Sequence, residues 1–204
     1  MSEVSLTVAT AAQMRSLGRS LATVLRAGDL VLLSGGLGAG KTTLTKGIGD
    51  GLSVRGPITS PTFVIARVHP PLGSTAATGE LRPALVHADA YRLGSVLELD
   101  DLDLDTDAAA SVTVVEWGGG LAEGLATDRL EITITPAEAE VPVVDDPVVD
   151  DPAVEDTVDG GNGAARAGDP DDPSVDVPRT VRISAVGDRW EGIKLPLASL
   201  ADRL

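Results

Sequence analysis

Residues 31–44 read VLLSGGLGAGKTTL, an apolar run that breaks into four glycines within six residues and ends on Lys-Thr-Thr. Few folds can deliver a buried strand straight into such a loop. Glycines permit positive φ, so successive N–H groups can turn inward around an anion. A helix that starts at the loop adds the positive end of its dipole. Gly35-Gly36-Leu37-Gly38-Ala39-Gly40-Lys41-Thr42 fits the pattern of Gly, four residues, then Gly-Lys-Ser/Thr. In that pattern the backbone from Gly35 to Thr43 cradles phosphates. Lys41 reaches the β- and γ-phosphates, and the Thr42 hydroxyl is placed to ligate Mg²⁺. The expected ligands of the loop are therefore the phosphates of a nucleotide and Mg²⁺.

The surrounding pattern places the loop in an α/β chain. Met14, Leu17, Leu21, Val24 and Leu25 fall at three- and four-residue spacings, which predicts a helix with Gly28 as its stop. Residues 29–34 (DLVLLS) predict a buried strand. Leu44, Ile48 and Leu52 form a helical stripe, although Gly47, Gly49 and Gly51 make that helix weak by propensity. PALVHADAYRL and SVTVVEWGG each hold a short Val/Leu strand ending in an acid. This order predicts a P-loop NTPase-like three-layer sandwich with a mostly parallel sheet, whose ligands gather at the carboxyl ends of the strands.

The net charge of −15 is concentrated in one place. Between Pro136 and Pro178, 13 Asp or Glu stand against the single Arg166, leaving −3 for the rest of the chain. The segment also holds seven prolines and no aromatic residue. It cannot bury enough apolar surface to offset the cost of ordering it, so it predicts a disordered acidic insertion. On either side, DRLEITIT (128–135) and RTVRISAV (179–186) alternate apolar and polar residues, which predicts a C-terminal β-hairpin with an overgrown tip. The expected organisation is one ATPase domain made of 1–135 and 179–204, interrupted by 136–178. With no cysteine, no basic apolar leader and no apolar run of membrane-spanning length, a cytoplasmic protein without membrane contact is expected.

A phosphate loop needs acids at neighbouring strand ends. Asp89 closes one apolar strand, with His87 on the same face at period two, and Glu116 closes another. Together they suggest a Mg²⁺ site with Thr42, plus an acid that orients or activates water. Thr59, Ser60 and Thr62 bracket Pro61 between loop and strand. Their hydroxyls could reach the γ-phosphate as switch residues do, or simply form a Ser-Pro turn.

GGLGAGKTT, TSPTF, HADAYRL and VVEW, in this order and at these intervals, resemble the TsaE family of small bacterial P-loop ATPases, formerly called YjeE. The resemblance runs from about residue 10 to 135 and resumes near 179. It implies that the protein binds TsaB and TsaD and hydrolyses ATP in support of N6-threonylcarbamoyladenosine formation at position 37 of tRNAs reading codons that begin with A. The tRNA would be met through those partners. It further implies that Lys41, Asp89 and Glu116 are catalytic, with Asp89 the Walker B-like acid and Glu116 a metal-linked or catalytic acid. Trp117 and Arg179 would lie near the nucleotide. Two positions depart from the family pattern: Gly36, where an acid is usual, and Met14, where a threonine is usual.

Other readings of the loop fit less well. A small-molecule kinase would need an arginine-bearing lid, and the one long insertion here is acidic. A GTPase would need an Asn-Lys-x-Asp motif, and the sole asparagine is Asn162 in the insertion. A nucleotide-dependent interaction module, with ELDDLDLDTD (98–107) as a face for a basic partner, is the alternative from another class. Direct RNA binding is disfavoured by the lack of a basic stripe and of aromatics.

Overall fold

The structure, a computed structural model, describes residues 2–61, 66–73, 82–90, 109–117, 126–137 and 177–196. In chain order these form β1 (Ser2–Val8), α1 (Ala11–Leu21), β2 (Leu30–Gly35), α2 (Lys41–Leu52), β3 (Ala66–His69), β4 (Ala84–Asp89), β5 (Ser111–Glu116), β6 (Arg129–Pro136), β7 (Arg179–Val186) and a 3-10 turn, Asp188–Trp190. All seven strands join one sheet in the order β1-β7-β6-β2-β5-β4-β3. Among the described residues, no helix is long and apolar enough to cross a membrane.

The sheet is mixed rather than mostly parallel. β6, β2, β5 and β4 run parallel in the centre, while β1, β7 and β3 are antiparallel to their neighbours. The apolar strands β2, β4 and β5 occupy the parallel part, where both faces are buried. The alternating strands β6 and β7 form the expected hairpin. β1 is an addition to the expected strands, because Glu3-Val4-Ser5-Leu6-Thr7-Val8 is only a short alternation until β7 offers it an edge.

α1 begins at a reciprocal cap. The Thr10 side chain accepts from the Gln13 N–H at 3.1 Å, and Gln13 Oε1 accepts from the Ala9 N–H at 2.7 Å. The helix ends at Leu21, earlier than the pattern through Leu25 suggested, and Gly28 is not its stop. Gly28 instead takes φ 87° and donates its N–H to Ser111 O at 2.8 Å, turning the chain into β2. Val24 and Leu25 sit in that turn, where Asp29 and Arg189 meet. Arg189 donates from Nε and from its terminal nitrogen to the two Asp29 oxygens at 3.0 Å each, and to Val24 O at 2.9 Å. This buried pair ties the end of the fold to the entrance of β2.

The main core lies on one face of the sheet. Leu17 and Leu21 of α1 and Leu44 and Ile48 of α2 pack with Val31 and Leu33 of β2 and with Val114 of β5. The opposite face carries a second buried cluster, including Leu30, Leu32, Val86 and Val115. The described helices α1 and α2 both pack on the first face, so the third layer of the expected three-layer sandwich is not seen among the described residues.

Gly47 and Gly51 are the reason α1 and α2 lie so close. A Cβ on Gly47 would strike Arg15 O, and one on Gly51 would strike the Ala22 Cβ. From the other side, a Cβ on Gly18 would meet Ile48 N at 2.7 Å and strike Leu44 O. The glycines read from sequence as weak points of a helix are its packing surface.

Most of the acidic insertion lies outside the described residues, but its roots do not. Pro136 and Arg179 are register partners, and the Ala137 N–H donates to Pro178 O at 2.9 Å. A four-residue turn in place of the segment between these roots should leave the hairpin intact. For an unstructured loop of about forty residues this removes three doublings of length, so roughly 2 kcal/mol of closure entropy is recovered. The shortened protein is expected to melt about 4–8 °C higher. A lower melting temperature would mean that the insertion packs on the body.

Candidate functional site

The parallel register brings the glycine loop and both acids to one end of the sheet. Leu33 of β2 and Asp89 of β4 each pair with Glu116 of β5, and Gly35 pairs with Ile134 of β6. The loop then leaves β2 at Gly35 and enters α2 at Lys41. Gly38 and Gly40 hold φ of 73° and 105°, in the left-handed region that a side chain would resist. At the helix start Gly40 supplies no side-chain cap, so the N-terminal end of α2 is open to an external acceptor.

A cavity of about 180 Å³ forms over this end. It is lined by the loop and helix start from Leu37 to Thr43 together with Ser60, Asp89, Glu116 and Trp117. Lys41 is 5% exposed, and its ammonium donates to Gly35 O and Gly36 O at 2.9 Å each. The same Nζ lies 3.8 Å from the centre of the Trp117 ring. Burial pushes the Lys41 pKa down, while the Glu116 and Asp89 carboxylates pull the other way. The loop thus holds a desolvated cation whose hydrogen-bond partners are two neutral carbonyls, with a ring face beside it. An anion of high charge is the natural ligand for it.

Glu116 is the centre of the polar network. Thr42 Oγ1 donates to Glu116 Oε1 at 2.9 Å, and His87 Nε2 lies 2.8 Å from the same oxygen. Asp89 stands across from Glu116 and lines the same cavity. Both carboxylates are nearly buried. The hydroxyl meets Glu116, on the strand next to β2, while the acid expected to be Walker B-like, Asp89, sits one strand further out. One hydroxyl and two carboxylates are hard oxygen donors suited to Mg²⁺. Among the described residues no group of three or more His, Asp or Glu side chains could hold a metal alone. An ion held by these three groups would take its remaining ligands from phosphate and water.

The other expected residues divide. Trp117 adopts φ 61°, a costly conformation for an aromatic residue, and its N–H donates to Leu33 O at 2.8 Å. It is half-buried at the cavity and is not a core aromatic. Ser60 lines the cavity, whereas Thr59 Oγ1 accepts from Arg67 at 3.2 Å and is not part of it. Thr62 lies outside the described residues. Arg179 donates to Val177 O at 2.8 Å and to Gly38 O at 3.3 Å, bracing the loop from behind. It lines a separate small pocket with Ala11, Met14, Gly40 and Thr43. Met14, where the resemblance implied a threonine, is thus a buried wall of that pocket. At Gly36 a Cβ would meet nothing within 4 Å, so the loop has room there for a side chain such as the acid the resemblance implied.

Sequence reasoning missed the contact of His87 with Glu116. The period-two spacing of His87 and Asp89 was its one signal, and it could not show which neighbour the imidazole would meet.

A family model described as threonylcarbamoyl adenosine biosynthesis protein TsaE matches residues 8–142. The tRNA threonylcarbamoyladenosine biosynthesis protein TsaE of Streptomyces coelicolor is 62% identical over 125 residues, covering 61% of this chain and 80% of that protein. The Mycobacterium leprae protein of the same name is 53% identical over 127 residues, covering 58% and 74%. Among solved structures, YdiB of Bacillus subtilis superposes with a TM-score of 0.57 at 25% identity, covering 98% of this chain and 95% of that one.

Proposed function

The chain belongs to the TsaE family of threonylcarbamoyl adenosine biosynthesis proteins, and from that premise we propose that it is a Mg²⁺-dependent ATPase with a P-loop NTPase-like fold. It binds the TsaB–TsaD pair and supports repeated rounds of N6-threonylcarbamoyladenosine formation at position 37 of tRNAs reading codons that begin with A. The observation that carries the reading is the convergence of the glycine loop, Lys41, Thr42, Asp89 and Glu116 on one cavity.

In this reading the backbone from Gly35 to Thr43 binds the phosphates and the α2 dipole favours their charge. Lys41 exchanges the carbonyls of Gly35 and Gly36 for phosphate oxygens. Thr42, Glu116 and Asp89 would hold Mg²⁺, which supplies neutralisation of phosphate charge when bound. A carboxylate of the pair orients the attacking water and takes its proton. Ser60 faces the same space, and Trp117 screens one side of it from solvent. Arg179 reaches the nucleotide only by leaving Gly38 O.

The test is a reconstitution with TsaB, TsaD, tRNA and threonylcarbamoyl-adenylate, counting modified tRNA over many turnovers. With this protein and ATP the reaction should continue well past one round. With Lys41→Ala, or with a non-hydrolysable ATP analogue, it should stop after about one. Equal turnover in all three would remove the ATPase role. Sustained turnover with the analogue alone would favour a nucleotide-dependent interaction module.

A further inference from the structure

His87 is fully buried on β4, and its Nε2 stands 2.8 Å from Glu116 Oε1. That oxygen also accepts from Thr42 Oγ1 at 2.9 Å. Two groups from two elements, one on β4 and one on the first turn of α2, therefore converge on a single carboxylate oxygen. An ionised carboxylate can only accept, and in that arrangement Nε2 is the donor of the 2.8 Å contact. His87 Nδ1 has no partner among the described residues. Among the described residues the one hydrogen bond of the ring goes to Glu116.

We propose that His87 is the positioning residue of this site: by donating from Nε2 it clamps the Glu116 carboxylate against the Thr42 hydroxyl. Its role in hydrolysis rests on the ATPase reading above; the clamp itself does not. The Glu116 side chain has three rotatable bonds, and a single hydroxyl is a poor restraint for it. With the second donor in place the carboxylate is held before any nucleotide arrives, which is what a preorganised site requires.

The experiment has two arms. The chain has only two histidines, His69 and His87. Imidazole ¹⁵N–¹H spectra of the nucleotide-free protein can therefore be assigned with one His69→Gln variant. The expected spectrum shows His87 with its proton on Nε2, slow to exchange, and shows that resonance move in Glu116→Ala while His69 stays put. A proton on Nδ1 with a bare Nε2, or a His87 resonance indifferent to Glu116→Ala, would overturn the clamp whether or not the protein hydrolyses ATP.

The second arm compares His87→Leu, which keeps volume and drops the donor, with His87→Gln, which restores an N–H near the same place. His87→Leu should lose about 10- to 100-fold in kcat, the usual cost of removing a supporting partner. Its ATP affinity by calorimetric titration should stay within about threefold, and His87→Gln should recover most of the rate. Equal losses in both variants, or a loss confined to affinity, would make His87 a packing residue. Absence of hydrolysis in the wild type would fell the ATPase reading and leave the spectra to decide the clamp.

Discussion

Lys41→Ala is expected to bind ATP about a hundredfold more weakly than the wild type. A hydrogen bond to a charged group is worth about 1.5–3 kcal/mol, and the ammonium is placed to give at least one to phosphate from a buried position. The effect is larger than for an exposed lysine because the burial cost has been met in the free protein. Lys41 is already desolvated, with Glu116, Asp89 and the Trp117 ring as its surroundings. Lys41→Arg should fail to rescue, since a planar guanidinium does not fit between two loop carbonyls shaped around a point charge. Calorimetric titration with ATP and Mg²⁺ reads the loss, and a melting curve checks that the variant folds. Unchanged affinity would mean that the lysine only ties the loop to its own backbone.

Gly47→Ala should cost about 3 kcal/mol or more of stability. By helix propensity alone the change would help, by about 1 kcal/mol. The opposing term is steric and falls on backbone: the new methyl would strike Arg15 O and lie 2.9 Å from Arg15 C. Neither helix can yield alone, because α1 and α2 share Leu17, Leu21, Leu44 and Ile48 in one core. The separation needed to admit the methyl would also drag the loop, since α2 begins at Lys41. Urea unfolding measures the loss, with Gly36→Ala as the control. At Gly36 nothing lies within 4 Å of the added carbon, so its stability should stay within about 0.5 kcal/mol of the wild type. A Gly47→Ala protein as stable as the control would show that the helices do not rely on that contact.

How much was legible can be seen in these two positions. The lysine could be read from eight consecutive residues, because the geometry of a phosphate loop is local: glycine freedom, a helix start and one cation suffice. Gly47 could be read only as a poor helix former, because its value depends on a separate helix much earlier in the chain. The same contrast runs through the site. Asp89 and Glu116 were visible as acids ending apolar strands, and the β6–β7 hairpin as two alternating segments around an acidic interruption. Which acid would meet Thr42 was not visible. It depends on β5, rather than β4, lying beside β2, and strand order follows from long-range packing that no local pattern records.

The sequence by itself therefore determined the glycine loop with its lysine, the two strand-end carboxylates, the family and the place where the acidic segment interrupts the fold. Each of these is set by a few adjacent residues or by one periodicity. Only the tertiary structure decided that the sheet is antiparallel at both edges, that Arg179 braces the loop from behind, that Arg189 closes on Asp29, and that His87 and Thr42 meet at one oxygen of Glu116. The reason is physical. Chemistry-bearing residue types are written locally, whereas the partner each one meets is chosen by the order and register of strands far apart in the chain.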